Sequence, residues 1–177
     1  MHPLHFRPLE HGDAPAFAQA VNASLDTLLP WMCWAHAGYT EADATAWITL
    51  TQVQRRLGEA DELGIFSEDG QLLGGAGLRF SSDPQGLTAI GYWVRSAAQN
   101  QGIATQAVNY LARLAIPAGA SGQLEILVAE QNLASRRVAE KSGARLVGMR
   151  FGLIVLDSGP VNTAVYHLSR TARPRPA

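Results

Sequence analysis

One cysteine, Cys33, stands among 177 residues. A single thiol excludes an internal disulfide and any thiolate zinc cluster within one chain, and it suits a reducing cytoplasm. Long apolar runs are also lacking: none approaches the roughly 20 residues that a membrane-spanning helix needs. The opening Met1-His2-Pro3-Leu4-His5-Phe6-Arg7-Pro8 has no signal-peptide apolar core. Neither sign of charge dominates, with 14 Lys and Arg against 15 Asp and Glu and a formal net charge of -1. That balance exerts no general pull toward nucleic acid or membrane surfaces. Internal repeats and linkers are absent. What remains is an ordinary globular composition, 47% apolar and 16% charged, sufficient for one core. Residues 1–170 read as a single domain, and 171–177, rich in Arg and Pro, as a flexible tail. A cytoplasmic protein without metal is expected.

Along the chain, Leu4 to Leu9 suggests a first strand. Asp13 is placed to cap a helix that tolerates Pro15 in its first turn and carries Phe17, Ala20 and Val21 as an apolar stripe. After a Leu-, Pro- and Trp-rich segment from Leu25 to Trp34, Thr40 with Asp43 three residues on marks the start of a helix to about Leu57. The pair Asp69-Gly70 turns one strand, Leu63 to Ser67, into another, Leu72 to Phe80. Gly74, Gly75 and Gly77 imply a bulged strand that something approaches closely. A strand from Leu87 to Val94 leads into a helix from Gly102 to Ala115, and Pro117 to Gly122 is a connector. A strand from Leu124 to Ala129 precedes a helix from Leu133 to Ser142, stopped by Gly143. Two closing strands, Leu146 to Leu156 and Thr163 to Leu168, flank Asp157-Ser158-Gly159-Pro160. The order βααβββαβαββ predicts a mixed-sheet α/β (α+β) domain of about seven strands and about four helices, not a doubly wound parallel sheet.

Chemistry concentrates in Ile90-Gly91-Tyr92-Trp93-Val94 and the loop that follows it to Gly102. A strand delivers the chain to a loop that turns into a helix at a glycine. First-turn amides of a helix have no internal acceptors, and the dipole adds positive potential, so this geometry binds phosphate. Small residues, Gly102 and Ala104, permit close approach.

Gln99-x-x-Gly102-x-Ala104 resembles the Q/R-x-x-G-x-G/A signature of the GNAT superfamily of N-acetyltransferases. Asn132-x-x-Ser135-x-x-x-Ala139-Glu140-Lys141-x-Gly143 is similar to that superfamily's second coenzyme A segment, especially in the RimJ/RimL branch that acetylates ribosomal-protein N-termini. Leu29-Pro30-Trp31-Met32-Cys33-Trp34-Ala35-His36 fits the same branch, and the resemblance covers nearly the whole chain. It implies the GNAT fold, with a splay between strands 4 and 5 that admits the pantetheine arm of acetyl-coenzyme A, the donor substrate. Backbone groups of Trp93 and Val94 would meet that arm, the Val94 amide polarising the thioester carbonyl. Gln99 belongs to the signature, while Gln101, Gly102, Ile103, Ala104 and Thr105 would surround the pyrophosphate and Asn132 would contact the cofactor. Ser135 sits where the branch has a serine that protonates the departing thiolate. The chain departs from many relatives in carrying Ala139 where they have a tyrosine acid, and Ala89 where they have a glutamate before Ile-Gly-Tyr.

An α-amine with pKa near 8 is about 10% neutral at pH 7, against well below about 0.1% for a lysine amine, so an enzyme acting on N-termini needs only a weak base. Glu125 is the best remaining carboxylate for that role, with His36 second; water alone is the third option. Trp31, Trp34 and His36 are candidate walls of an acceptor pocket. The acceptor is an amine, either a peptide N-terminal α-amine or a small molecule such as a polyamine or antibiotic, and the chain is a monomer or homodimer.

Blander readings stand beside these. Asn132 could merely cap its helix, Ser135 could be a first-turn serine, Glu125 a solvated strand-face charge, and His36 a surface histidine. The tryptophans could be core, and Cys33 a small buried apolar group. For the whole chain, Gly102-x-Ala104-x-x-Ala107 is also a degraded dinucleotide fingerprint with Glu130 downstream, although the terminal strand pair does not continue a parallel βαβ series. A non-catalytic acyl-coenzyme A sensor on the GNAT fold is the other alternative.

Overall fold

A computed structural model describes residues 3–116 and 122–170, so the tail at 171–177 and most of the predicted connector lie outside the described residues. Strand β1 (His5–Arg7) leads through a 3-10 turn, His11–Asp13, into helix α1 (Ala14–Asn22). Asp13 does not cap α1 with its side chain as the sequence suggests. The intervening turn makes it the third residue of an earlier capping box. Its carboxylate reaches back to accept from the Glu10 amide at 2.8 Å and from the Arg7 guanidinium at 2.7 Å. The bonds from Arg7 hold the Asp13 carboxyl below the usual carboxylate range.

Leu25–Leu28 forms one turn of helix, α2, so the described residues hold five α-helices rather than about four. Helix α3 (Glu41–Leu57) starts as read: the Asp43 amide donates to Thr40 Oγ1 at 3.1 Å, and the Thr40 amide donates to Asp43 Oδ2 at 2.8 Å. It buries Ala44, Ile48 and Thr51 at helical spacing and stops at Gly58, whose φ is 70°. Strands β2 (Ala60–Phe66) and β3 (Leu72–Arg79) flank the Asp69-Gly70 turn, and β4 (Thr88–Val94) follows. Helix α4 (Ile103–Ala115), strand β5 (Gly122–Ala129), helix α5 (Leu133–Lys141), and strands β6 (Arg145–Leu156) and β7 (Gly159–Arg170) complete the order. The last turn is shorter than expected, because Gly159 and Pro160 already pair with Leu156 and Val155.

The strands lie in the order β1-β2-β3-β4-β5-β7-β6. Strand β7 is inserted between β5 and β6 and pairs antiparallel with both. The ladder between β4 and β5 is parallel and comprises Thr88↔Leu124 and Ala89↔Glu125, whereas β5 pairs with β7 from Gly122 to Ala129. The sheet is mixed, as the element order implied.

Two compact units interleave along the chain. The first runs up to Gly77 and takes in Tyr92–Ala104; the second comprises Leu78–Gly91 and the chain from Thr105 onward. In the first, Phe17, Val21, Leu28, Tyr39, Ile48, Phe66 and Leu72 form an apolar core, with Trp34, Trp47 and Trp93 packed against it. In the second, Val108, Leu111, Ile126, Val128, Val165 and Tyr166 are buried. Each large apolar side chain so buried contributes about 1.5–3 kcal/mol, enough to fix these faces of the helices and strands. Cys33 is exposed rather than buried, because it lies in the irregular segment after α2 and not on a core-facing stripe.

Candidate functional site

The chain enters the candidate site along β4. A Cβ built on Gly74 would overlap the Trp93 carbonyl oxygen and lie 2.9 Å from Val94 Cα, and one on Gly75 would lie 2.6 Å from Trp93 Nε1. The close approach that Gly74 and Gly75 imply is therefore made by Trp93 itself, and that at Gly77 by the Glu62 carboxylate. The Trp93 indole packs edge-on to Phe17 at 5.5 Å and to Trp34 at 5.8 Å. Trp34 in turn stacks on Trp47 at 6.0 Å with 18° between the planes.

Beyond Val94 the loop is held at several points. The Arg95 amide donates to Leu73 O at 2.8 Å, and the Arg95 guanidinium to Leu72 O at 3.4 Å. Arg95 Nε is buried with no hydrogen-bond partner among the described residues. The Ser96 amide donates to Oγ of Ser24, which is fully buried, and the Ser96 hydroxyl donates to Asp26 Oδ1 at 2.8 Å and lies 2.8 Å from Thr27 Oγ1. This anchor escaped the sequence reading: Ser24, Asp26 and Thr27 are about 70 residues away from Ser96, and short polar residues after a helix carry no signal of a remote partner. Gln99 Nε2 donates to Val94 O at 3.1 Å, tying the two ends of the loop together.

The loop ends in an exposed turn, Asn100-Gln101-Gly102, with positive φ at Asn100 (62°) and Gly102 (77°). Such a conformation suits glycine and tolerates asparagine. A Cβ on Gly102 would meet nothing within 4 Å, so the turn opens onto solvent. Helix α4 begins at the next residue, and its first-turn amides have no intrahelical acceptors. Ile103 is buried and anchors the helix start, while Ala104 and Thr105 are half-buried. Gln101 is exposed, with Nε2 3.4 Å from Ala97 O. An anion reaching this turn meets backbone donors and the positive end of the α4 dipole, with no side chain of the protein in the way at Gly102.

In the second unit, Asn132 is the N-cap of α5 and accepts from the Ser135 amide at 3.1 Å. Ser135 is thus a first-turn helix residue, half-buried. Ala139 is completely buried, so helix packing fills the position where many relatives carry a tyrosine. Nearby, the Tyr166 hydroxyl accepts from Arg136 Nε at 3.1 Å and donates to Glu140 Oε1 at 2.9 Å, which raises the Arg136 pKa. Glu125, half-buried in β5, stands opposite Ala89 on one side and His167 on the other, with Oε2 3.9 Å from His167 Nε2.

Of the candidate pocket residues, Trp34 packs on the core of the first unit, and Trp31 is half-buried in the turn after α2. His36 is exposed, 3.6 Å from Asp43 Oδ2 and beside the Tyr39 ring. Burial, with a smaller contribution from the Asp43 charge, pushes the Tyr39 phenol up to about 12. Among the described residues no three His, Cys, Asp or Glu side chains gather into a metal-sized group.

The family model of the acetyltransferase (GNAT) domain matches residues 4–145. The chain belongs to the GNAT acetyltransferase family. No curated protein matches it. Among solved structures, the microcin C7 self-immunity acetyltransferase MccE, in complex with acetyl-coenzyme A and AMP, matches with a TM-score of 0.86. Its identity is 18%, covering 94% of this chain and 92% of that one. RimL, the ribosomal L7/L12 α-N-protein acetyltransferase in complex with coenzyme A, matches with a TM-score of 0.81 and 20% identity over 93% of each chain. RimJ of Mycobacterium smegmatis, in complex with a coenzyme A disulfide, matches with a TM-score of 0.81 and 22% identity. That match covers 94% of this chain and 81% of that one. These likenesses establish that the described residues adopt the GNAT fold; the family match makes the chain an acetyltransferase. The degraded dinucleotide fingerprint is accordingly the Gly102 turn and the first helical residues of α4 in the GNAT fold.

Proposed function

We propose that this GNAT acetyltransferase moves an acetyl group from acetyl-coenzyme A to an N-terminal α-amine of a peptide or protein, by direct attack within a ternary complex. The observation that carries the donor half is the exposed left-handed turn at Gly102, open on its Cβ side and opening straight into a 13-residue helix. Main-chain amides around Gln101, Gly102, Ile103, Ala104 and Thr105 hold the diphosphate in this reading. Each such bond contributes about 1.5–3 kcal/mol to a charged group. The backbone of Trp93 and Val94 receives the pantetheine arm. Gln99 serves indirectly, by holding the Val94 carbonyl. The Asn132 carbonyl oxygen is engaged in capping, which leaves its NH2 group to meet the cofactor.

The acceptor nitrogen attacks the thioester carbonyl carbon. A C–N bond forms, the C–S bond breaks, the amine proton leaves through water to Glu125, and Ser135 protonates the thiolate. Glu125 suits the task because its register partner on β4 is Ala89, the position where relatives carry a glutamate. Residues paired across neighbouring strands project to the same face, so a carboxylate absent from β4 is restored from β5. The α-amine is favoured because this weakly basic arrangement suffices for a group already about 10% neutral at pH 7. The RimL and RimJ likenesses lean the same way. A small-molecule amine is the second reading, favoured by the likeness to MccE, a microcin self-immunity enzyme.

Calorimetry with acetyl-coenzyme A on wild type and Gly102→Asp tests the donor site. A carboxylate against the diphosphate should weaken binding at least about 100-fold with the fold intact by circular dichroism. Unchanged affinity would remove the diphosphate from this turn. Thiol release across peptides, polyamines and aminoglycosides tests the acceptor; turnover confined to the small amines would replace the α-amine reading with the second one.

A further inference from the structure

Ser24 breaks a local rule. It is the N-cap of α2, where a serine hydroxyl ordinarily accepts from a first-turn amide of its own helix, yet its side chain makes no such bond. Its Oγ accepts instead from the Ser96 amide at 3.0 Å, and the residue is fully buried. The Ser96 hydroxyl donates to Asp26 Oδ1 at 2.8 Å. That spends its one proton, so in the 2.8 Å contact between Ser96 and Thr27 the threonine hydroxyl is the donor. The Ser24 carbonyl, 3.2 Å from that hydroxyl, already accepts from the Thr27 and Leu28 amides and does not need its proton. Three residues at the start of α2 thus close on both the amide and the hydroxyl of Ser96.

A helix of four residues has little stability of its own, and the chain beyond α2 hangs from it. Leu28 O accepts from the Trp31 and Met32 amides, and Met32 O from the Ala35 amide. At the far end, Trp34 lies edge-on to Trp93 at 5.8 Å. The segment from Ser24 to Trp34 is therefore fixed to the end of β4 at two points, Ser96 and Trp93, on either side of Val94. Resting on the acetyl-coenzyme A reading above, we infer that Ser96 is a positioning residue for acyl transfer. Through Ser24, Asp26 and Thr27 it holds the acceptor-side segment, with Trp31 and Trp34, in register with the donor strand at Val94. It touches neither reacting atom. Its contribution is geometric, because an acceptor wall displaced by about 1 Å from the thioester loses up to about 100-fold in rate. The diphosphate turn does not depend on this grip: Asn100 and Gly102 take their left-handed conformations locally, and Gln99 ties the loop to the Val94 carbonyl. Loss of the grip therefore separates turnover from acetyl-coenzyme A binding, which a misfolded site would lose together.

Kinetics and calorimetry on the full chain carrying Ser96→Ala test this, with an alanine-initiated octapeptide or spermidine as acceptor, whichever the wild type acetylates. Turnover (kcat) should fall about 10- to 100-fold while the Kd for acetyl-coenzyme A stays within about threefold. Asp26→Ala, at an exposed position, should show the same split, and the double variant should be no slower than Ser96→Ala, since both changes remove one contact. Asp26→Asn keeps an acceptor oxygen and should recover to within about threefold of wild type. Unchanged kcat in Ser96→Ala, multiplied losses in the double variant, or a Kd that weakens in step with kcat overturns the inference. Hydrogen exchange supplies a readout that needs no acceptor. Saturating acetyl-coenzyme A should add about tenfold protection to amides between Leu25 and Trp34 in wild type and none in Ser96→Ala. Equal protection in both, or none in wild type, overturns the coupling. A wild type that fails to bind acetyl-coenzyme A overturns the donor reading and this inference with it, whereas tight binding with an unmoved kcat in Ser96→Ala removes the inference alone.

Discussion

Adding a single methyl group at four glycines of β3 and β4 should cost very different amounts, and the order is fixed by what each methyl meets. At Gly74 the obstruction is main chain: the Trp93 carbonyl and Val94 Cα, the latter 2.9 Å away. Strand backbone cannot step aside without loosening the sheet, so Gly74→Ala should lose about 3 kcal/mol, the upper part of the range for overpacking. Gly75→Ala meets the Trp93 indole, with Nε1 at 2.6 Å. A ring can tilt, at the expense of its contacts with Phe17 and Trp34, and a loss of about 1–2 kcal/mol follows. Gly77→Ala meets only the carboxylate end of Glu62, a flexible chain that can swing, and should lose about 0.5 kcal/mol. Gly91→Ala meets nothing within 4 Å and should stay within about 0.5 kcal/mol of wild type. The entropy that alanine removes from the unfolded chain is common to all four and leaves the order intact. Urea denaturation reads the series directly. With a slope of about 2 kcal/mol per molar, the midpoint should fall by about 1.5 M for Gly74→Ala and hardly at all for Gly91→Ala. Equal midpoints for these two would refute the claim that β3 lies in main-chain contact with Trp93 and Val94.

Further outcomes are expected. Ser135→Ala should lower kcat about 10- to 100-fold with little change in KM for acetyl-coenzyme A, and a matched loss in both would reduce Ser135 to a binding contact. Glu125→Gln should slow turnover of α-amine acceptors at neutral pH and recover toward high pH, where the amine deprotonates unaided; a pH-independent deficit would count against Glu125 as base. Asn132→Ala removes the cap on the Ser135 amide and should lower stability by about 1 kcal/mol in thermal or urea unfolding. Tyr39, pushed up to about 12 from 10.0, should be the laggard when phenolate absorbance is followed. Its folded pKa lies above the unfolded one, so the native state holds the proton longer, and stability falls as pH rises from about 10 to about 12. Tyr39→Phe should flatten that decline.

Local chemistry in the sequence was enough to determine most elements. The Thr40–Asp43 box starts α3, Gly58 and Gly143 end helices with positive φ, and Asp69-Gly70 makes its turn, because each depends only on residues within a few positions. Backbone conformation at Gly102 belongs with these, since a left-handed residue before a helix is a local requirement. Tertiary structure decided what depends on distant partners. Asp13 turned back to Arg7 and Glu10 instead of capping α1, and Cys33 fell on the outside of its segment. Ser24 and Asp26 came under Ser96, and β7 slid between β5 and β6. The register that puts Glu125 opposite Ala89 belongs to the same class. Pairing between strands is set by the burial of whole faces, summed over many residues, and no window of a few positions contains that sum.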